Sequence, residues 1–312
     1  MEPLALIVAG PTASGKSALA FELARRLGGT VINADAMQGY AELRILTARP
    51  SADEEAVVPH RLYGVLPAHA AGSVAAWRER ALAAMEEAEL PILCGGTGLY
   101  LRALTQGISA LPDIAPEARA EARRRLAAEG PAALHARLDA RTARHLRPSD
   151  SQRIARAYEV LLATGRGLAD WQNAAPLLPP APWRFAGLLL DPPRAALAEA
   201  IRARWAGMLA GGAVAEVAAL MAQGLDPALP AMRAHGVPEL AALLRGELDE
   251  AEASHRAIAH TIAYTRRQAT WFRHQLWVDP SRLHRINARF AGLAQFSESE
   301  LPKILSFIHE MR

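Results

Sequence analysis

The chain has 312 residues, 51% of them hydrophobic but only 5% aromatic, so a sizeable core built from Leu, Val, Ile and Ala is expected. The formal net charge is +3, and Lys16 and Lys303 are the only lysines beside 33 arginines. A mean hydropathy near zero argues against disorder, no apolar run reaches the roughly 18 residues of a membrane span, and the single cysteine, Cys94, excludes a disulfide framework or a cysteine-rich zinc site. A cleaved secretory signal is not expected, because Glu2 leads into a glycine motif by Gly10. A cytoplasmic enzyme is the expected class.

Leu4–Ala9 reads as a strand ending in Gly-Pro, and a helical pattern follows from Lys16 to Leu27. Thr30–Ala34 is a second strand and Arg61–Leu66 a weaker one. Val74–Ala88 is helical, and Pro91–Cys94 is a buried-type strand running into Gly95 and Gly96. Strands alternating with helices predict a parallel, three-layer α/β sheet. The pattern breaks near Leu111 and Pro112. Three helices, Glu117–Glu129, Ala132–His145 and Ser151–Thr164, then follow without a strand, punctuated by Gly130-Pro131, Arg147-Pro148 and Gly165. The proline-rich stretch 176–182 is a linker or turn, Arg184–Asp191 is again a strand, and Trp277-Val278 is read as a short closing strand among helices. The expected organisation is an α/β core of residues 1–112 and 181–312 with a helical insertion at 113–180.

Gly10-Pro11-Thr12-Ala13-Ser14-Gly15-Lys16-Ser17 matches G-x-x-x-x-G-K-[ST] between a strand and a helix. Glycines there let backbone N–H groups curl around phosphate oxygens, the helix N-terminus adds positive potential, Lys16 supplies a point charge, and Ser17 can hold Mg2+. The motif implies a diphosphate or triphosphate ligand and leaves ATP open. Asp35 follows the second strand, at the sheet edge where ligands bind. It could hold Mg2+ through water, act as a general base, or simply cap a helix. Cys94–Tyr100 forms a second glycine turn that brings the Thr97 hydroxyl to the same edge. Cys94 itself, with no His near in sequence, reads as a buried strand residue.

Charge is unevenly spread. Residues 113–156 carry ten Arg against six acids, and residues 255–285 carry six Arg against one. Two basic segments suit a polyanionic partner, although charge alone equally fits solvated helix faces. Ser149–Arg156 opens a helix with Gln152, Arg153 and Arg156 on or beside one face; viewed alone it is also an ordinary capped helix start.

Taken together and in order, four segments resemble the tRNA dimethylallyltransferase family, the tRNA isopentenyltransferases of bacterial type. They are GPTASGKS (10–17), DAMQ (35–38), CGGTGLY (94–100) and QRIARAYEV (152–160), with weaker matches in RAHGVPE (233–239) and YTRRQATW (264–271). The resemblance implies a P-loop kinase-like core carrying an all-helical, tRNA-binding insertion. It implies transfer of a dimethylallyl group from dimethylallyl diphosphate to N6 of adenosine 37, next to the tRNA anticodon. By resemblance Gly10–Ser17 cradle the allyl diphosphate with Arg204 nearby, Lys16, Asp35 and Thr97 carry the chemistry, and Mg2+ sits on Ser17. Contacts to the anticodon stem-loop fall on Asp35, Ala36, Met37, Gln38, Thr97, Arg119, Gln152, Arg153, Ile154, Ala155 and Arg156. A monomer without a membrane partner is expected.

The sequence departs from the family at Ala36 (usually Ser), at Gly39 and Ala41 (usually Val and Arg), at Arg49 (usually Lys) and at Val237 (usually Tyr). Two other readings remain at this stage. In a small-molecule kinase using ATP, Leu188–Asp191 would be the second acidic motif. A nucleotide-regulated RNA-binding protein would explain the basic segments but not Asp35 and Thr97 at the P-loop edge.

Overall fold

The computed structural model describes residues 2–109, 114–173, 176–275, 277–292 and 300–312. It divides into two compact units, residues 1–105 with 181–312, and residues 106–180. The boundary expected at 112/113 lies outside the described residues.

In the first unit the chain runs β1 (Leu4–Ala9), α1 (Lys16–Leu27), β2 (Thr30–Asn33), α2 (Ala52–Val57), β3 (His60–Arg61), α3 (Val74–Glu86), β4 (Pro91–Gly95) and α4 (Gly98–Thr105). The second unit holds β5 (Ile108–Ser109), α5 (Pro116–Ala136), α6 (Ala140–Ala143), α7 (Ser151–Thr164), α8 (Leu168–Gln172) and β6 (Pro176–Leu178). The first unit resumes with β7 (Arg184–Leu190), α9 (Arg194–Ala210), α10 (Ala213–Met221), α11 (Val237–Leu244), α12 (Glu250–His274), β8 (Leu283–Ile286) and α13 (Glu300–Met311).

The described strands of the first unit form one parallel sheet in the order β3-β2-β4-β1-β7-β8. Strand β1 is central, and its residues alternate between two apolar layers: Ala5, Ile7 and Ala9 join one with Trp77, Leu101 and Phe272, while Leu6 and Val8 join the other with Leu19, Leu23 and Ile304. That two-sided burial explains the continuous apolar run LALIVA. A third apolar cluster, with Trp205, Val217, Leu220 and Leu240, unites α9, α10 and α11. The strand tips that carry the glycine turns therefore project from a sheet buried on both faces.

Two strand expectations are corrected. The strand expected over Arg61–Leu66 shrinks to His60 and Arg61 in the sheet, with Leu66 making an isolated parallel bridge to Tyr40, because Leu62 (φ 65°) and Gly64 (φ 61°) take left-handed conformations that turn the chain out of the sheet. Trp277 and Val278 are not a strand; both are buried in the apolar layer of Trp77, and the closing strand is β8.

The second unit packs Ile114, Ala122, Leu134, Ile154, Tyr158 and Val160 into its own core. Gly130 is non-helical (φ 80°, ψ 168°), so α5 breaks where Gly130-Pro131 predicts. The helix read over Ala132–His145 ends early, and Asp139 caps a separate short α6 by accepting from the Thr142 amide at 2.8 Å. The stretch read as a linker carries β6, which pairs antiparallel with β5.

Candidate active site

The turn between β1 and α1 is held from outside as much as from within. Ser14 donates to Pro11 O at 3.2 Å, closing the turn itself. Thr12 donates its amide to Gln268 Oε1 at 2.9 Å and its hydroxyl to the same oxygen at 3.2 Å. Gln268, on α12, also donates to Gly96 O at 3.1 Å, so one buried side chain ties the first glycine turn to the second. Arg289 Nε donates to Ala13 O at 2.9 Å, and the Phe290 amide donates to Ser14 O at 2.9 Å. Gly15 has φ +89°, and a Cβ there would lie 1.9 Å from Phe290 O, so both conformation and space demand glycine. Ala13 keeps φ 66° without being glycine, a strained conformation of the kind that concentrates at functional sites.

Behind this loop lies a cavity of about 430 Å³ lined by Gly15, Lys16, Ser17, Arg49, Arg204 and Arg289, with Phe21, His60 and Tyr63 forming an aromatic side. Among the described residues four cations face it against the single carboxylate of Glu54, so it is built for an anion. Lys16 is buried, and burial lowers its ammonium pKa; Asp35 and Cys94 oppose the shift, while Arg204 adds to it. No hydrogen bond engages its ammonium among the described residues. Arg204 donates to Thr47 O at 3.0 Å, and burial lowers its pKa too, with Asp35 again opposing. The Ser14 hydroxyl is fully buried without a hydrogen-bond partner among the described residues.

Asp35 stands just past β2 in a small lattice of bonds. Asn33 Oδ1 accepts from the Asp35 amide at 2.8 Å, and Asn33 Nδ2 donates to Asp35 O at 2.9 Å. Asp35 Oδ1 accepts from the Met37 amide at 3.0 Å, which leaves Oδ2 without a protein hydrogen bond among the described residues. Thr97 completes the lattice: its amide donates to Ala34 O at 3.2 Å, and its hydroxyl accepts from the Ala36 amide at 3.0 Å. Thr97 thus braces the segment on which Asp35 sits. Beside Asp35 is a second cavity of about 250 Å³, walled by Leu66, Trp77 and Tyr100. Trp77 and Tyr100 stack at 4.3 Å and 17°, and burial, followed by Tyr40 and Asp35, pushes the Tyr100 hydroxyl up to about 12.

Other sequence candidates have different places. Gln38 is buried, and its amide donates to Thr47 O at 2.9 Å and Ala48 O at 3.0 Å, so it shapes the loop that Arg204 also grips rather than offering a side chain outward. Burial pushes the Cys94 thiol up to about 11, only partly offset by Lys16 and a hydrogen bond from Ser17, which makes it a poor nucleophile. In RAHGVPE, Glu239 caps α11 by accepting from the Gly236 amide at 3.1 Å and pairs with His260 at 2.6 Å. Asp191, the acid of the kinase reading, is paired with Arg273 at 3.3 Å and lines a separate cavity.

Within the second unit, Arg119, Gln152 and Arg153 are exposed and Arg156 and Ala155 half-buried. Asp150 caps α7 by accepting from the Arg153 amide at 3.2 Å; Arg153 pairs with Asp150 at 3.5 Å and Arg156 with Glu159 at 3.0 Å. Ile154 is a correction: it is fully buried in the core of this unit, which leaves its side chain no part in an external contact.

Sequence reasoning missed Gln268, Arg49, Arg289 and Phe290 as parts of the site. Gln268 lies in a segment quoted for resemblance without a role, and Arg49 stood only as a departure from the family pattern. Arg289 and Phe290 belong to no motif, and only folding brings them to the loop.

Residues 38–275 match the profile of the family described as IPP transferase. The chain is 62% identical to the tRNA dimethylallyltransferase of Acidiphilium cryptum, over 97% of this chain and 94% of that protein. It is 59% identical to the enzyme of the same name from Granulibacter bethesdensis, over 98% of each. Among solved structures, it resembles the full-length tRNA isopentenylpyrophosphate transferase of Bacillus halodurans, with a TM-score of 0.68, 29% identity and coverage of 99% and 96% of the two chains. It shares its fold with a eukaryotic dimethylallyltransferase acting on tRNA, with a TM-score of 0.80 at 21% identity over 99% of this chain and 79% of the other.

Proposed function

Because the chain belongs to the IPP transferase family, we infer that it transfers the dimethylallyl group of dimethylallyl diphosphate to N6 of adenosine 37 of tRNA and releases diphosphate. The observation that carries the reading is a cation-lined P-loop cavity together with a carboxylate, Asp35, whose charge is felt by Lys16 and whose Oδ2 is open.

Adenine N6 is a weak nucleophile, because its lone pair is delocalised into the ring. Asp35 Oδ2 accepts the N6 proton as the bond from N6 to the allylic C1 forms and the bond from C1 to the diphosphate oxygen breaks. Lys16, the amides of Ala13, Gly15, Lys16 and Ser17, and Arg204 stabilise the charge that gathers on the leaving diphosphate. Thr97 and Gln268 act by position, one through the Asp35 segment and the other through Thr12. The target adenine must leave its stack to reach Asp35, as in other base-modifying enzymes.

A Mg2+ ion fits the residues present. Ser17 lines the cavity, and no cluster of three His, Cys, Asp or Glu occurs among the described residues. Most ligands would then be phosphate oxygens and water, the coordination Mg2+ favours. When bound, it would neutralise charge on the leaving group. Arg119, Gln152, Arg153 and Arg156 are the proposed grip on the anticodon stem-loop, with Met37 and Ala36 beside the reacting base. No described helix is long and apolar enough to cross a membrane. A cytoplasmic monomer acting on tRNA is the corresponding proposal. A kinase is not favoured, since Asp191 is paired with Arg273 and is not among the described residues that line the P-loop cavity.

The test is incubation with unmodified tRNA, dimethylallyl diphosphate and Mg2+ in ATP-free buffer, followed by nucleoside mass analysis. A five-carbon addition to adenosine at position 37 is expected. Its absence, together with metabolite-stimulated ATP turnover, would replace the transferase with the kinase.

A further inference from the structure

We propose that Arg289, supplied by the segment after β8, is a direct contact for the donor's diphosphate, a fourth cation that the P-loop motif does not announce. The proposal rests on reading the P-loop cavity as the donor site. Arg289 and Phe290 lie against the loop: Arg289 Nε donates to Ala13 O at 2.9 Å, the next amide donates to Ser14 O at 2.9 Å, and Gly15 leaves no room for a side chain beneath Phe290. Arginine carries five N–H donors in one rigid plane. The bond to Ala13 uses one of them and fixes the plane, while the two terminal amino groups have no protein partner among the described residues. Arg289 also lines the cavity with Lys16 and Ser17. A guanidinium pinned by Nε, with its fork open to an anion cavity, is pre-organised for paired hydrogen bonds to phosphate oxygens.

Charge gives the arrangement a purpose. A diphosphate ester gains negative charge on its bridging oxygen as the C1–O bond breaks, so a further cation acts most strongly on the leaving group. Lys16, whose pKa is lowered by burial, is the less secure carrier of positive charge at alkaline pH, whereas a guanidinium stays charged throughout.

The experiment is calorimetric binding of inorganic diphosphate and of inorganic monophosphate to the full chain, as wild type, Arg289→Ala and Arg289→Lys, with folding checked by circular dichroism. Arg289→Ala should lose roughly tenfold in diphosphate affinity, the size of one charge-assisted hydrogen bond, and less than about twofold for monophosphate, which the P-loop holds by itself. Arg289→Lys should recover part of the loss, and it decides the matter if the Ala variant fails to fold. Unchanged diphosphate affinity would make Arg289 only a clip on Ala13. Equal losses for both anions would make it a support for the loop, and either result overturns the contact. If wild type binds neither anion, the donor-cavity reading fails first and the proposal falls with it.

Discussion

In the first unit, Thr12 meets a partner 256 residues away in Gln268, and Ala13 one 276 residues away in Arg289. In the second, Arg153 and Arg156 find Asp150 and Glu159 three positions along the same chain segment. The first arrangement fixes atoms: the buried Gln268 and the exposed Arg289, each bonded across the fold, hold the loop in one geometry before any substrate arrives, as electrostatic catalysis requires. The second arrangement is exchangeable. Solvent-exposed ion pairs are worth about 0–1 kcal/mol, so a phosphate can displace Asp150 from Arg153 at little cost, whereas Glu159 beside Arg156 is half-buried. The proposed chemistry therefore sits where contacts are long-range, and the proposed RNA grip where they are local.

Lys16→Ala separates the two regions most sharply. It should lower single-turnover transfer by about 10²–10³-fold, as loss of a donor to the transition-state charge does, while tRNA affinity stays within about twofold. A matching loss of tRNA affinity, read by filter binding, would mean that the P-loop and the RNA grip are not separate. Burial also gives this lysine a pH signature. Its folded pKa lies below the unfolded one, so diphosphate binding should fade at a pH below the ordinary lysine range. Ligand-free Lys16→Met should be more stable than wild type at neutral pH. That advantage is full below the folded pKa and vanishes as pH rises toward the unfolded value, which thermal melts across pH will show.

Gln268→Ala tests the long-range bracing itself. It removes acceptors from Thr12 and a donor to Gly96, and kcat/KM should fall by about tenfold with tRNA affinity unchanged. Gln268→Glu keeps the acceptor and sets an oxygen against Gly96 O, so it should not rescue activity. Full activity in either variant would show that the two glycine turns keep their geometry without α12.

The smallest effects belong to the second unit. Arg153→Ala and Arg156→Ala should each weaken tRNA binding a few-fold and reduce the log–log salt slope by about 0.7–0.9. Binding and slope equal to wild type would leave α7 a solvated helix start.

The same contrast explains what the sequence made readable. The P-loop, Asp35 and the α7 start are local patterns, each set by a few neighbouring residues, and the parallel sheet follows from apolar strands alternating with helices. The Gly130 break and the Asp150 cap were legible for the same reason. Gln268, Arg289 and Phe290 were not, because their roles exist only once α12 and the segment after β8 have folded against the loop. Ile154 and Gln38 show the converse: a motif marks a segment, while burial decides which of its side chains face outward. Strand β3 is cut short by left-handed backbone at Leu62, a choice no apolar pattern encodes.

The division of labour is tested most directly on one anticodon stem-loop, with single-turnover rate at saturating RNA and RNA dissociation constant measured for Asp35→Asn and for the Arg153→Ala, Arg156→Ala double variant. Asp35→Asn should lower the rate by roughly 10²–10⁴-fold with the dissociation constant unchanged, while the double variant should weaken binding and keep the saturated rate. An unchanged rate in Asp35→Asn, or a double variant slow at saturation with normal affinity, would contradict that division.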